Sequence, residues 1–318
     1  MRRSLVYGVA GATLALAAVL TLLGVGDDPR ALTNGQALVL GVVQGATELL
    51  PISSSGHLIL VPWAAQWTFL EENDRFNQTF DVALHLGTLV AVAAYFWSDL
   101  VRLLRAWFRS LAQRRIRTAD ERIAWFVIVA TIPAGIIGLL GEDAIADHLG
   151  EPWQILVLLA AGALLLWWAD RFPQRRGMGD LGLRHALAMG CAQALALAPG
   201  VSRSGITITA GRIMGLDRDS AARFSFLLLL PTVLGAVVLK GVGDVLLGDL
   251  PPGWEGPFLV GTLAALGSGL LAIDWLLDYV RRHTYDLFVL YRLVLAAIVP
   301  FFFGRWGLLT AAGLAAAF

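Results

Sequence analysis

The chain has 318 residues, of which 57% are hydrophobic and only 15% are charged, and its formal net charge is zero. Soluble domains carry roughly 25% charged residues, so this deficit excludes an ordinary soluble domain and predicts a polytopic membrane protein. The chain has one cysteine, Cys191, which excludes an intramolecular disulfide.

The first apolar segment follows Arg2 and Arg3 and runs from residue 5 to residue 25. It has two interpretations, a cleaved signal peptide or an uncleaved transmembrane helix. The segment is long for a signal peptide, and no small-residue cleavage motif follows before Asp27. We therefore favour an uncleaved helix and assign residues 1–34 to an extra N-terminal helix and linker.

Eight further segments are apolar, and they fall into two kinds. Two of them, 35–67 and 185–215, are interrupted in the middle by proline, glycine and several serines. Irregular backbone inside a membrane must be buried in protein or line a wet cavity, so each interruption predicts two half-helices that form a re-entrant hairpin. The uninterrupted segments, each long enough to cross a bilayer, lie near 80–98, 123–141, 153–169, 224–240, 258–279 and 287–303.

The two interrupted segments repeat one another at one constant offset. Gly41, Gln44 and Ser53 recur as Gly190, Gln193 and Ser202. The repeat predicts that the chain consists of two related halves, each with a hairpin and three spans.

Arginines are concentrated in alternate connections between the predicted spans. If both interrupted segments are hairpins, all arginine-rich loops lie on one side, which the positive-inside rule assigns to the cytoplasm. The connections on the other side, around 142–151 and 244–255, are acidic or neutral. The arginines are Arg2 and Arg3, seven in the loop from Arg102 to Arg122, then Arg171, Arg175, Arg176, Arg184, Arg218, Arg223, Arg281 and Arg282.

The predicted fold is therefore an all-α polytopic membrane protein with an inverted-topology repeat inside one integral-membrane domain. Residues 35–170 form the first repeat and residues 171–303 the second, followed by a C-terminal tail, 304–318. Because three spans separate the hairpins, they enter from opposite sides, and their tips meet near the midplane. Broken helices that meet in this way build central binding sites in other membrane proteins.

The tip of the second hairpin places Arg203 between Ser202 and Ser204. A guanidinium offers a planar fork of donors that suits phosphate, and the N-terminus of the following half-helix adds positive potential. Thr207 lies on the same helical face as Arg203. A buried ion pair with Glu48 is an equally good interpretation of Arg203 alone, but the flanking serines favour an anion with two adjacent charges, such as a diphosphate.

The tip of the first hairpin carries a similar set of donors, Ser53, Ser54 and Ser55. Glu48 follows Gln44 by four residues, so the two side chains share a helical face and are a candidate site for a divalent cation that also binds phosphate. A Glu–Arg pair without a metal stays open as the alternative.

His57 lies three residues beyond Ser54, where an imidazole is suited to activate the serine hydroxyl. The alternative for a histidine on an apolar helix is a packed, hydrogen-bonded side chain. That alternative is our interpretation of His85.

These residues resemble the bacitracin-resistance (BacA/UppP) family of undecaprenyl-diphosphate phosphatases. The family carries an (E/Q)xxxE motif and a PGxSRSxxT motif, and residues 44–48 and 199–207 match both. The resemblance covers roughly residues 35–303. Gln44 occupies a position that is often Glu, which weakens a metal site with two carboxylates, and a helix before residue 35 is unusual for the family.

The resemblance implies an integral-membrane phosphatase that hydrolyses undecaprenyl diphosphate to undecaprenyl phosphate and inorganic phosphate. This reaction recycles the lipid carrier for peptidoglycan synthesis and confers bacitracin resistance. It implies Mg²⁺ or Ca²⁺ as cofactor and the bacterial plasma (inner) membrane as location, with the site open to the periplasmic, outer face. The implied catalytic residues are Glu48, Ser54, His57 and Arg203, and those that bind the diphosphate are Ser53, Ser55, Ser202, Ser204 and Thr207.

Our mechanistic hypothesis is that Ser54 attacks the terminal phosphoryl group while His57 accepts the serine proton and Arg203 holds the group. Attack by water, or by His57 itself, stays open. The alternative function is a transporter or flippase for an anionic prenyl-phosphate lipid, because inverted repeats with broken helices are a transporter architecture. The expected partners are a polyprenyl diphosphate and the lipid bilayer, with no nucleic acid; a homodimer is left open.

Overall fold

The computed structural model describes residues 3–26, 32–67, 69–70, 74–149, 151–239 and 253–302. Asp244, Asp249 and the predicted tail 304–318 lie outside these residues. Within them the chain is helical and has no strand. The helices are α1 Arg3–Leu22, α2 Asn34–Leu49, α3 Ser54–Ala65, α4 Asp74–Tyr95, α5 Trp97–Gln113, α6 Ala119–His148, α7 Pro152–Ala169, α8 Leu183–Leu195, α9 Arg203–Ile213, α10 Arg218–Ala236, α11 Glu255–Val280 and α12 Asp286–Phe302.

The prediction of an all-α polytopic membrane protein is confirmed. Within the described ranges, five helices are long and apolar enough to cross a membrane, namely α1, α6, α7, α10 and α11. The pair α4 and α5 passes the same test together and is a sixth candidate. Helix α12 covers the predicted span 287–303 over its described length.

The arginine-rich stretch between 98 and 123 is a loop only at residues 114–118, so the prediction of a loop over its whole length is wrong. The chain forms α5 there, at an angle of 80° to α4. Leu103, Ala106 and Ser110 recur at helical spacing on α5 and are buried. A high content of arginine conceals this periodicity when the segment is judged by charge alone.

Both predicted interruptions are present as breaks between helices. Helix α2 ends before Pro51, and α3 begins after Ser53; α8 ends before Pro199, and α9 begins after Ser202. Helix α2 packs against α3 and α8 packs against α9, so both segments fold back on themselves as helix hairpins. The inverted relation between the two halves stays a prediction.

The two hairpins share an unusual backbone conformation at the residue that caps the start of their second helix. Ser53 has φ +75° and Ser202 has φ +74°, a region that residues other than glycine rarely adopt. Each serine hydroxyl accepts a hydrogen bond from the amide of a glycine three residues on, at 3.4 Å for Gly56 and 3.1 Å for Gly205. The same cap therefore opens α3 and α9 and directs their amino-terminal N–H groups toward the breaks.

Small residues let the helices approach closely. A Cβ at Gly41 would collide with Gly261 of α11, and a Cβ at Gly190, its counterpart in the repeat, would collide with Ala130 of α6. Such contacts are typical of helix packing inside membranes, where small residues permit van der Waals contact between backbones. They fix α2 and α8, the first helix of each hairpin, against long spans.

Helix α1 packs along α11, where Gly267 accommodates Ala10 of α1. Arg3 pairs with Asp278 at 2.8 Å and Asp274 at 3.5 Å. The hydroxyl of Tyr7 donates to Asp274 at 3.0 Å. The N-terminal helix is therefore held by polar contacts as well as by apolar packing.

Candidate active site

Glu48 connects the tips of the two hairpins. It lies in the last turn of α2 and is 6% exposed. Its Oε1 accepts a hydrogen bond from Nη2 of Arg203 at 2.9 Å, and its Oε2 accepts one from the Ser54 hydroxyl at 2.5 Å. The structure therefore brings together three of the four predicted catalytic residues around one carboxylate.

Arg203 opens α9 and divides its guanidinium between two helices. While Nη2 binds Glu48, Nη1 donates to the backbone oxygen of Ser225 on α10 at 2.9 Å. The Ser225 hydroxyl lies 2.7 Å from that of Thr207, which also donates to the Arg203 backbone oxygen at 2.8 Å. Thr207 is fully buried and supports the base of Arg203 in this arrangement.

His57 has hydrogen-bond partners other than Ser54. Its Nδ1 lies 2.6 Å from the backbone oxygen of Ser53, which can only accept, so Nδ1 carries a proton. In a neutral ring, Nε2 then accepts from the hydroxyl of Tyr291 at 2.7 Å. The Ser54 proton points to Glu48, and no hydrogen bond joins Ser54 to His57 in the described part of the chain.

The remaining serines of the tips have structural contacts. Ser53 and Ser202 cap their helices, and each lies 3.4 Å from the hydroxyl of the serine two residues on, Ser55 or Ser204. The Ser204 hydroxyl donates to the backbone oxygen of Leu50 at 2.9 Å and so ties the second tip to the first. The predicted role of these serines in binding a diphosphate stays a prediction.

Two residues near the site are not among the predicted catalytic residues because they come from other helices. His85 of α4 has Nε2 at 3.5 Å from Glu48 Oε2, while its Nδ1 lies 2.7 Å from a backbone oxygen of its own helix. Tyr291 of α12 stacks on His57 with ring centroids 5.7 Å apart and planes 10° apart. His85 is therefore hydrogen-bonded as expected, but it also contacts the central carboxylate.

A third unpredicted residue is Arg292, whose side chain is fully buried. Its guanidinium donates to backbone oxygens of both breaks, Gly200 and Val201 at 3.1 Å and Pro51 at 3.5 Å. Its Nε donates to Leu159 of α7 at 3.0 Å. No carboxylate of the described residues pairs with it. An arginine inside an apolar span is a sequence signal for a polar site, and Arg292 carried that signal.

The residues beside Glu48 are compatible with a divalent cation that is shared with the substrate. The Gln44 amide nitrogen lies 3.4 Å from Glu48 Oε2, and the Gln44 amide oxygen is buried without a hydrogen-bond partner among the described residues. No group of three His, Cys, Asp or Glu side chains suited to a metal occurs in the described ranges. This donor set fits Mg²⁺, which uses one or two carboxylates and completes its shell with waters and substrate phosphates.

Comparisons with known proteins give one consistent result. Residues 37–298 match the family model described as bacitracin resistance protein BacA. Proteins named undecaprenyl-diphosphatase are 47% identical over 266 residues in Moorella thermoacetica, covering 83% of this chain and 95% of the relative, and 44% identical over 274 residues in Thermomicrobium roseum, covering 83% and 96%. A protein of Stutzerimonas stutzeri named undecaprenyl-diphosphatase 2 is 46% identical over 268 residues, covering 83% and 96%.

The matched part of the chain begins after α1, in the first turn of α2, and contains both hairpin tips. The resemblance that the two motifs indicate is therefore confirmed, and α1 is an addition to the matched region.

Proposed function

The chain belongs to the bacitracin resistance protein BacA family, and on this premise we propose that it is an undecaprenyl-diphosphatase. It hydrolyses undecaprenyl diphosphate to undecaprenyl phosphate and inorganic phosphate, which recycles the lipid carrier for peptidoglycan synthesis. The observation that carries the proposal is the contact of Ser54 and Arg203 with the two oxygens of Glu48 at the meeting point of the hairpins. The named relatives are hydrolases, so the transporter alternative has no support among them.

The site offers three groups with separate tasks. Arg203 and the N-termini of α3 and α9 supply positive potential for the diphosphate. Ser54 supplies a hydroxyl that already donates to a carboxylate. Glu48 supplies that carboxylate, and we assign to it the role of accepting the serine proton, in place of His57.

The proposed reaction then has two steps. Ser54 Oγ attacks the terminal phosphorus, its proton passes to Glu48 Oε2, and the bond between that phosphorus and the bridging oxygen breaks, so undecaprenyl phosphate leaves. Water next attacks the phosphoserine, and Glu48 returns its proton to Ser54 Oγ as the bond from that oxygen to phosphorus breaks, so the hydroxyl and the carboxylate are restored and inorganic phosphate leaves. Direct attack by water with Glu48 as the base is the competing route.

A divalent cation, Mg²⁺ or Ca²⁺, would be held by Glu48 and Gln44 and would neutralise charge on the diphosphate. The buried, unpartnered amide oxygen of Gln44 supports this proposal. His57 and Tyr291 would border the same substrate from α3 and α12.

The protein is a multi-pass membrane protein. We propose the bacterial plasma membrane as its location, with the arginine-rich connections in the cytoplasm and the site open to the outer face. The distribution of arginine supports this orientation. A homodimer stays a prediction.

The function is tested by phosphate release from undecaprenyl diphosphate with the purified protein in detergent micelles. We expect release with Mg²⁺ or Ca²⁺ and little release after chelation. A micelle has no gradient and no second compartment, so release there cannot result from transport. Absence of phosphate release under all cation conditions would refute the hydrolase proposal.

A further inference from the structure

Helix α5 has an exposed apolar face. The angle of 80° between α4 and α5 places α5 close to the membrane plane if α4 crosses the membrane. Trp97, Leu104 and Phe108 follow one another at spacings of seven and four residues, so they share one face. They are 66%, 55% and 61% exposed, which is the pattern of a helix that lies in the membrane interface.

The neighbouring face of α5 is basic and lines a cavity. Arg102, Arg105 and Arg109 follow one another at spacings of three and four residues and border a cavity of about 530 Å³ with Thr118 and Asp120. Arg102 is fixed by ion pairs with Asp99 at 2.8 Å and Asp120 at 3.2 Å. The cavity is therefore a formed cleft between α5 and the start of α6.

Two of these arginines form no ion pair with a carboxylate of the described residues. Arg105 and Arg109 are exposed, and no carboxylate of the described residues lies within ion-pair distance of either. The stretch 99–122 contains seven arginines and three carboxylates. The cleft therefore presents excess positive charge directly beside the apolar face.

We propose that this cleft binds the headgroup of an anionic phospholipid such as phosphatidylglycerol. The phosphate lies between Arg105 and Arg109, and the acyl chains follow the apolar face formed by Trp97, Leu104 and Phe108. A basic cluster next to a membrane-embedded apolar surface attracts an anionic lipid in two ways: the arginines attract the charged headgroup, and the apolar surface buries the acyl chains. A soluble anion would gain only the electrostatic attraction, so the adjacent apolar face favours a lipid.

The test measures binding of fluorescent-tailed phosphatidylglycerol to the purified full-length protein in neutral detergent micelles. We expect the R105Q/R109Q double variant to bind about twenty-five-fold more weakly at low salt, because each arginine near a lipid surface contributes about a factor of five. Phosphatidylcholine with the same tails should bind weakly, and millimolar inorganic phosphate should not displace phosphatidylglycerol. Added salt should reduce the difference between wild type and variant by screening.

The matched control is the R175Q/R184Q double variant, which removes the same charge at exposed positions outside α5. It should bind phosphatidylglycerol like the wild type, and both variants should unfold at the wild-type temperature without added lipid. Equal binding by R105Q/R109Q, or an equal loss in the control, would overturn the proposed site. Displacement by inorganic phosphate would show a site for free anions, and capture of phosphatidylcholine would show a site without charge selectivity; either result overturns the proposal.

Discussion

Glu48 divides its two oxygens between the halves of the protein, one for Arg203 and one for Ser54. Removal of its charge has two consequences at once. It takes away the proposed acceptor of the serine proton, and it leaves a mostly buried guanidinium without its ion pair. The amide that replaces the carboxylate conserves shape, so a loss of activity can be separated from a loss of folding.

We expect Ser54→Ala and Glu48→Gln each to reduce phosphate release by about a hundredfold or more, because each removes a partner of the proton transfer. Ser55→Ala is the matched control, since the only hydrogen bond of its hydroxyl in the described structure is the long one to Ser53. It should lose less than about tenfold, the value of one weak hydrogen bond. Near-normal turnover by Ser54→Ala would exclude serine as the nucleophile and favour attack by water.

The hydroxyl of Tyr291 donates a hydrogen bond to Nε2 of His57. Removal of this hydroxyl should show whether the contact matters for turnover. Tyr291→Phe keeps the ring stack but loses the hydrogen bond to Nε2, so we expect kcat to fall by roughly tenfold with an altered pH profile. Tyr279→Phe is a matched control, because Tyr279 stacks on His283 at 4.6 Å outside the site.

The two tyrosine variants are compared by steady-state kinetics over a range of pH. Tyr279→Phe should leave both kcat and the pH profile unchanged. A wild-type profile for Tyr291→Phe would contradict a positioning role. In a double-mutant cycle with His57→Gln, the loss due to Tyr291→Phe should disappear.

At this scale the motifs predict the members of the site that lie on the hairpins. Glu48, Ser54 and Arg203 stand beside prolines, serines and glycines that mark the breaks, so their convergence follows from the repeat. His85 and Tyr291 belong to α4 and α12 and reach the site only through tertiary packing. Their local sequence therefore does not predict that these two side chains lie at the site.

Among the helices, close packing depends on positions without side chains. A Cβ at Gly45 of α2 would collide with Ser268 and Ala265 of α11, whereas a Cβ at Gly135 of α6 meets nothing within 4 Å. Both glycines lie inside helices, where alanine has the higher intrinsic helix propensity. For a substitution by alanine, packing predicts lower stability at Gly45 whereas helix propensity predicts higher stability. At Gly135 packing does not oppose the gain that helix propensity predicts.

We expect Gly45→Ala to lower the unfolding temperature in detergent by several degrees, since overpacking typically costs about 1–3 kcal/mol. Gly135→Ala should leave that temperature unchanged or raise it slightly. Thermal unfolding followed by circular dichroism measures both. An unchanged temperature for Gly45→Ala would mean that α2 and α11 separate at little cost.

Helix boundaries can be predicted from the sequence where the length of an apolar segment defines the helix. The prediction fails where a helix is not defined by such a segment. The breaks at Pro51 and Pro199 are visible because proline, glycine and serine interrupt an apolar segment. Helix α5 is concealed because each of its three buried residues, which define its period, directly follows an arginine. Its exposed apolar face becomes interpretable only when the angle to α4 is known.

For the whole molecule, the inverted repeat predicts that each hairpin begins and ends on one side of the membrane and that the two sides differ. Single cysteines in a Cys191→Ala background test this with a membrane-impermeant thiol reagent. Gly35→Cys and Ala65→Cys, at the two ends of the first hairpin, should react from the outer side. Arg184→Cys and Ile213→Cys, at the ends of the second, should react only after the cytoplasmic side is opened.

All four of these positions are exposed in the structure, so accessibility to the reagent depends on the side of the membrane. Labelling of Gly35→Cys and Ala65→Cys from opposite sides would mean that the first broken helix crosses the membrane. The charge pattern would then need another explanation.

Arg292 holds the interruptions of both hairpins through their backbone oxygens, and it does so without a carboxylate in the described part of the chain. A rocking motion that drew the two halves apart would leave the buried guanidinium of Arg292 without its hydrogen-bond acceptors. A carrier that exposes its cargo alternately to each leaflet would meet that penalty in every cycle. An enzyme whose lipid substrate enters and leaves laterally from the membrane can keep the hydrogen bonds of Arg292 to both breaks throughout turnover.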